Sequence, residues 1–232
     1  MELAGSPGPH VFVESLDHPV VHEDDLHHLS RALRMRPGDA LTVADGRGSW
    51  APAEFAEDGP LALTGDVVHV PAPVEPTTVA FSLVKGQKPE LVVQKLTELG
   101  VDRIVVLDAE RSVVRWDDKK VASHLDRFER ITREASMQSH RVRLPTIEAL
   151  VPALDHLSTP DVAAAHFGGH PIGATHRSIA IGPEGGWSPA EVVAVGARTV
   201  TLGATVLRAE TAAIAAGTLL SATTVMGTSD PR

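Results

Sequence analysis

The sequence predicts an α/β protein in which a small β-barrel precedes a larger domain built on a parallel sheet. Three observations carry that expectation. From about residue 77 onward, apolar strand-like segments alternate with helical ones, the pattern of a parallel sheet covered by helices. Before residue 71 the strands are short and divided by turn signals, as in a barrel. Between them lies "PAPVEP", residues 71–76, with three prolines and no apolar period, which reads as a linker. The expected domains are therefore 1–72 and 73–232.

In order along the chain, "DDLHHLSRALRM" is an expected helix capped by Asp24, with Leu26, Leu29 and Leu33 on one face. "RPGD" ends it with a turn. "ALTVADGRGSWAPAEFAE" predicts a hairpin around Asp45 and Gly46, and "LALTGDVVHV" a further strand pair. After the linker, "TTVAFSLVKG" is strand-like. "PELVVQKLTELG" follows as a helix with Pro89 at its start and Gly100 at its C-cap. "VDRIVVLDA" is a continuous apolar run of the doubly buried, parallel kind. A long helix comes next, "HLDRFERITREASMQSHR", then strands in "VAAAHFG", "SIAIGP" and "TVTLG". The last helix is "AETAAIAAGTLLSATTVM".

Composition narrows the class. The chain of 232 residues has no cysteine, which excludes disulfides and thiolate metal sites and suits a reducing cytoplasm. Its first residues lack the basic and apolar regions of a signal peptide, and no run of 18 apolar residues exists. A soluble, cytoplasmic protein without a membrane partner is expected. The net charge of −9 is unevenly spread. Residues 85–143 hold 13 Lys/Arg against 10 Asp/Glu, so a cationic middle sits within an acidic chain and could face phosphates.

The chemistry concentrates in two bends. In "IAIGPEGGWSPAE" an apolar strand runs into Gly182, Pro183, Glu184, Gly185 and Gly186. A helix start follows, with Ser188 as cap and Pro189 at its first position. Glycines let main-chain groups approach a ligand closely. In "TLGATVLRAETAAIAA" a second strand ends at Gly203 and bends through Arg208 and Glu210 into a helix from about Thr211. A third bend, "HFGGHP", ends the strand before them. Ligands of open α/β sheets sit at the carboxyl ends of the strands, so these bends are expected to face one pocket. Neither G-x-x-x-x-G-K-[ST] nor G-x-G-x-x-G after a strand occurs, which argues against a P-loop or ordinary dinucleotide fold. On spacing alone, "GPEGGW" could equally be a tight structural turn.

Five ordered segments, "KGQKPELVVQKLTELGV", "ERSVVRW", "RITREASMQSHRVRLPTI", "IGPEGGWSPAE" and "LGATVLRAETAAIAA", resemble the RsmE family of small-subunit ribosomal RNA methyltransferases. "HLSRALRMRPGD" is similar to the same family's N-terminal signature. The resemblance spans about residues 27–216. It implies a PUA-like β-barrel followed by a SPOUT methyltransferase domain whose chain forms a trefoil knot. It further implies a homodimer, S-adenosyl-L-methionine (SAM) as cofactor, and methylation of uridine N3 in 16S ribosomal RNA, naked or in the assembled 30S subunit. Carried over, Phe167 and Gly168, Ile181 to Gly186, Leu202 and Gly203, Val206 to Arg208, and Thr211 would hold SAM. Ile181, Leu202, Val206 and Leu207 would wall the adenine.

Methyl transfer to N3 requires loss of the N3 proton and stabilisation of charge on the flanking carbonyls. Arg208 suits the cationic role and Glu210 the basic one, with Glu184 as a rival base. Both carboxylates also suit capping of the helices that follow. For RNA, Arg130, Arg133 and Arg141 fall mostly opposite the Leu125/Phe128/Ile131/Ala135 side of the helix expected over 125–141. Arg31 and Arg34 lie away from the leucine stripe of the first helix, and Lys85 and Lys88 follow the first strand of the second domain. The 12 histidines include "HEDDLHH", whose His22-to-His27 spacing is not that of a helical zinc motif, so no metal is expected. Other readings are a SPOUT enzyme for another RNA, a non-catalytic RNA-binding assembly factor, and a nucleotide-binding Rossmann protein.

Overall fold

The computed structural model describes residues 8–86 and 88–227. Both expected domain extents, the chain's first residues and Gln87 of the "KGQKP" segment run into residues outside that range. The chain forms two compact units, one of residues up to Pro73 with Arg133–Leu144, the other of Val74–Thr132 with Pro145 onward. The first break falls inside the proline-rich linker. The expected contiguous second domain is interrupted, because residues 133–144 pack with the first unit.

The first unit holds β1 (His10–Phe12), α1 (Glu23–His27), β2 (Ala40–Ala44), β3 (Ser49–Glu54), β4 (Ala62–Leu63) and β5 (Val68–His69). β1 runs parallel to β2, and β2 and β3 form the expected hairpin, antiparallel with Ala44 opposite Trp50. β4 and β5 do not pair with each other as expected. Each pairs with β3, so its length serves two short partners. Leu29, Leu41, Val43, Ala53 and Phe55 form one core, and Phe12, Ala44 and Trp50 pack on Met137, Val142 and Leu144.

The leading helix differs from expectation. His22, not Asp24, is the cap, its ring accepting from the Asp24 N–H at 3.4 Å. After one helical turn the chain widens into a π-turn over His28–Ala32. The Leu33 N–H reaches back five residues to His28, which carries Leu33 off the apolar face to 48% exposure while Leu29 stays buried.

His10 is buried in this unit. Its Nε2 donates to the Arg141 carbonyl at 3.1 Å, and its Nδ1 accepts from the Thr42 hydroxyl at 2.8 Å. Burial pushes the imidazole down to about 4, opposed by the Arg141 carbonyl and helped by nearby His140.

The second unit carries β6 (Thr78–Ser82), α2 (Lys88–Glu98), β7 (Arg103–Asp108), α3 (Asp118–Gln138, through Thr132), β8 (Thr146–Pro152) and α4 (Ala153–Leu157). Then come β9 (Val162–Pro171), β10 (Ser178–Ile181), α5 (Pro189–Val195), β11 (Thr199–Thr201) and α6 (Ala209–Gly227). The strands form one all-parallel sheet in the order β11-β9-β10-β6-β7-β8. Alternate side chains serve opposite faces. Val79, Phe81, Ile104, Val106, Ile179 and Ile181 pack with Leu96 of α2, Phe128 of α3 and Ala213 of α6. Ala80, Val105, Leu107 and Ala180 pack with Leu157 of α4 and Val195 of α5. Burial on both faces explains why these strands read as unbroken apolar runs.

β8 and α4 lie in "TIEALVPALDHL", for which no element was expected. Glu148 and Pro152 break the apolar signature there, and register with β7 forms the strand. The expected "HFGGHP" bend is instead the end of β9. Pairing with β11 jumps from Ala164–Thr199 to His170–Val200, so residues 165–169 bulge. A Cβ on Gly169 would lie 2.7 Å from the Val200 backbone, so that close approach requires glycine. α3 ends at Gln138, which places Arg141 beyond the helix and off its expected face.

The burial of His10 predicts a pH dependence. In the unfolded chain the ring takes a proton near its ordinary 6.5, whereas in the folded protein it does so only near 4. Proton uptake therefore favours unfolding, and stability present above pH 6.5 falls by about 3 kcal/mol toward pH 4. Urea unfolding of wild type and His10→Gln across pH 4–7 should show a shallower slope in the variant. Parallel slopes would remove His10 as the cause.

Candidate functional site

The site grows from β10. Its residues Ile179 and Ala180 are fully buried between β9 and β6, so the strand's end is fixed. The Ser82 hydroxyl also donates to the Ile181 carbonyl at 3.1 Å. The chain then turns through Gly182–Trp187 into α5. That helix opens with a capping box: Ser188 accepts from the Glu191 N–H at 3.4 Å, and Glu191 accepts from the Ser188 N–H at 2.7 Å. Within the turn the Gly186 N–H bonds the Pro183 carbonyl at 2.8 Å. Trp187 folds back over the strand end, where a Cβ on Gly182 would lie 2.9 Å from its ring. Any side chain at 182 would displace the indole.

A cavity of about 660 Å³ opens at the carboxyl ends of β9, β10 and β11. One wall is Ala165 to Phe167, another is Ile181 to Glu184 with Gly186 and Trp187, and a third runs from Thr201 through Gly203 and from Thr205 to Ala209. Val192 and Ala212 complete it. The structure thus brings together Phe167, Ile181, Gly182, Pro183, Glu184, Gly186, Leu202, Gly203, Val206, Leu207 and Arg208 of the expected residues. Gly168, Gly185 and Thr211 are not on its lining. Gly168 sits in the β9 bulge, Thr211 is exposed on α6, and Gly185 faces Arg111, whose Cβ lies 3.4 Å from where a Gly185 Cβ would stand.

Glu184 and Arg208 are exposed at the cavity. Glu210 differs from both. It is off the lining, in the first turn of α6, and its Oε1 lies 2.9 Å from Lys88 Nζ. The Lys88 ammonium holds its carboxyl below the usual carboxylate range against the opposing effect of burial. A carboxylate held in that state is a poorer proton acceptor, which counts against the expected basic role.

Of the expected RNA contacts, Arg31, Arg34, Lys85 and Arg130 are exposed. Lys88 is engaged with Glu210. Arg133 is engaged within the first unit: it pairs with Asp25, donates to the Phe12 carbonyl at 3.1 Å and stands 5.4 Å over the Phe12 ring. Arg141 is half-buried, its carbonyl taken by His10. Sequence reasoning missed His166, Thr201, Thr205, Trp187 and Val192. His166 and the threonines adjoin residues that were identified, so adjacency was the available signal. Val192 carried none, since an exposed valine on a short helix has no distinctive period. Among the described residues no helix is long and apolar enough to cross a membrane.

Comparison with known proteins identifies the family. Residues 70–221 match the model of an RNA methyltransferase domain, and residues 22–68 that of an RNA methyltransferase PUA domain. Ribosomal RNA small subunit methyltransferase E of Mycobacterium bovis is 32% identical, over 85% of this chain and 83% of its own. The protein of the same name from Bacillus subtilis is 30% identical, over 85% and 87%. Ribosomal RNA small subunit methyltransferase E from Neisseria gonorrhoeae, solved bound to S-adenosyl methionine, superposes with a TM-score of 0.73. It is 25% identical, over 96% of this chain and 98% of that one. A PUA domain, a parallel α/β methyltransferase domain and these relatives together show that the chain belongs to the ribosomal RNA small subunit methyltransferase E family.

Proposed function

We propose that this protein is a SAM-dependent methyltransferase that methylates N3 of a uridine in 16S ribosomal RNA. The observation that carries the reading is the cavity: glycine-edged, walled by apolar side chains, and bearing an exposed arginine and an exposed carboxylate. Its residues fit SAM. Ile181, Leu202, Val206 and Leu207 offer apolar surface to an adenine, and at Gly186 and Gly203, both on the lining, no atom lies within 4 Å of where a Cβ would stand. The volume of about 660 Å³ lies in the range of sites for ligands of that size.

SAM, when bound, supplies a methyl group on a positively charged sulfur. The chain's own task is to hold the base nitrogen in line and manage one proton. Glu184 accepts the N3 proton, and the Arg208 guanidinium stabilises negative charge developing on the flanking carbonyl oxygens. Glu210 anchors Lys88 instead of taking the proton. Arg31, Arg34, Lys85 and Arg130 hold the RNA backbone. The exposed side chains of Phe167 (63%) and Val206 (84%) at the cavity support a homodimer that covers them. The tight β9–β11 approach at Gly169 is consistent with the family's knotted chain. The absence of cysteine supports work in the cytoplasm.

Labelled SAM incubated with small ribosomal subunits and with naked rRNA should yield 3-methyluridine on nucleoside analysis. SAM binding without label would point to another target, and no SAM binding would sink the enzyme reading. Glu184→Gln should lower kcat by about 10²-fold or more while SAM affinity, measured by calorimetry, stays near wild type. An unchanged kcat would remove Glu184 as the base. Arg31→Glu with Arg130→Glu should flatten the dependence of RNA affinity on salt by roughly one unit of slope per lost phosphate contact. An unaltered slope would return both arginines to ordinary solvated surface.

A further inference from the structure

We propose that Arg111, on the turn after β7, is a positioning residue that sets the shape of the Gly182–Trp187 turn for the cofactor. The inference rests on reading the cavity as the SAM site. Arg111 is not on the cavity lining. Its Nη1 donates to the Trp187 carbonyl at 3.0 Å and to the Gly185 carbonyl at 3.5 Å, from the side where the side-chain-free Gly185 lies against it.

The consequence follows from peptide geometry. A trans peptide points its C=O and its N–H in opposite directions. The Gly185–Gly186 peptide is held at its carbonyl by Arg111 and at its N–H by the Pro183 carbonyl, 2.8 Å away. The Trp187–Ser188 peptide is held at its carbonyl by Arg111 and at its N–H by Glu191, 2.7 Å away. Both planes are thereby fixed at both ends, and Gly186 and Trp187, which lie between them, line the cavity.

The Arg111 turn is itself secured twice over. The other oxygen of Glu191, a residue only 3% exposed, accepts from the Glu110 N–H at 3.0 Å. Arg115 pairs with Asp108 and donates to the Ala109 carbonyl at 3.0 Å and the Glu110 carbonyl at 2.8 Å. β7 and β10 are not neighbours, since β6 runs between them. The two turns share no ladder bond, so the arginine, with the Glu110–Glu191 bond, supplies a connection that the sheet omits.

Two measurements on full-length protein test the proposal separately from the cavity reading. Hydrogen exchange without any ligand should be at least about tenfold faster at the Gly186 and Ser188 amides in Arg111→Ala than in wild type. Unchanged exchange would overturn the brace, whatever SAM does. Calorimetry and steady-state kinetics should show the SAM Kd and the KM for SAM raised about tenfold in Arg111→Ala, with a smaller change in kcat. Arg111→Lys, which keeps one charged donor, should lie between the two. Faster exchange with wild-type Kd and KM would leave a structural brace and overturn its role toward the cofactor. A wild-type protein that binds no SAM would overturn the cavity reading, and with it the cofactor role, while the exchange result stood.

Discussion

The site depends on a close approach: the Trp187 ring packs against Gly182, where a Cβ would come within 2.9 Å of it. That contact folds the turn after β10 back on the strand end and leaves its outer edge to the cavity. It is possible because β10 is itself held in place. Its side chains are buried on both faces of a parallel sheet, and its last carbonyl is tied by Ser82. A ligand-facing turn has little packing of its own, so its geometry must come from the elements around it.

Electrostatics then sort the groups that sequence alone treated as equivalents. Glu184 lies between β10 and α5, and Glu210 in the first turn of α6 after β11. The fold places Lys88 beside Oε1 of Glu210, which lowers that carboxyl, and leaves Glu184 at the cavity. The cationic middle of the sequence divides in the same way. Arg133 is used on Asp25 and the Phe12 ring, and Arg111 and Arg115 on main-chain carbonyls, whereas Arg130 stays exposed. A guanidinium has enough donors to serve several carbonyls at once, which suits it to holding turns as well as to phosphate.

Much of the second unit was legible because its periods are strong. "VDRIVVLDA" and "SIAIGP" read as buried strands since both faces demand apolar residues, and Ser188-Pro189 announced α5 through local capping chemistry. Where the signal was mixed, reading failed. Thr146–Pro152 became a strand through register with β7 despite its glutamate and proline. β4 and β5 found a common partner in β3, which two-residue strands cannot specify themselves. The π-turn at His28–Ala32 moved Leu33 out of a stripe that a regular 3.6-residue period had included.

The sequence by itself determined the α/β class and the two glycine-bearing bends, while the family resemblance pointed to Ile181, Leu202, Val206 and Leu207. All of these rest on local periodicity, turn chemistry or ordered motifs. Only the tertiary structure decided that Gly185 faces Arg111, that Glu210 belongs to Lys88, that His166 and Val192 join the cavity, and that residues 133–144 pack with the first unit. These are contacts between residues far apart in the chain. No local pattern encodes them, because they follow from which strand ends the parallel sheet sets side by side.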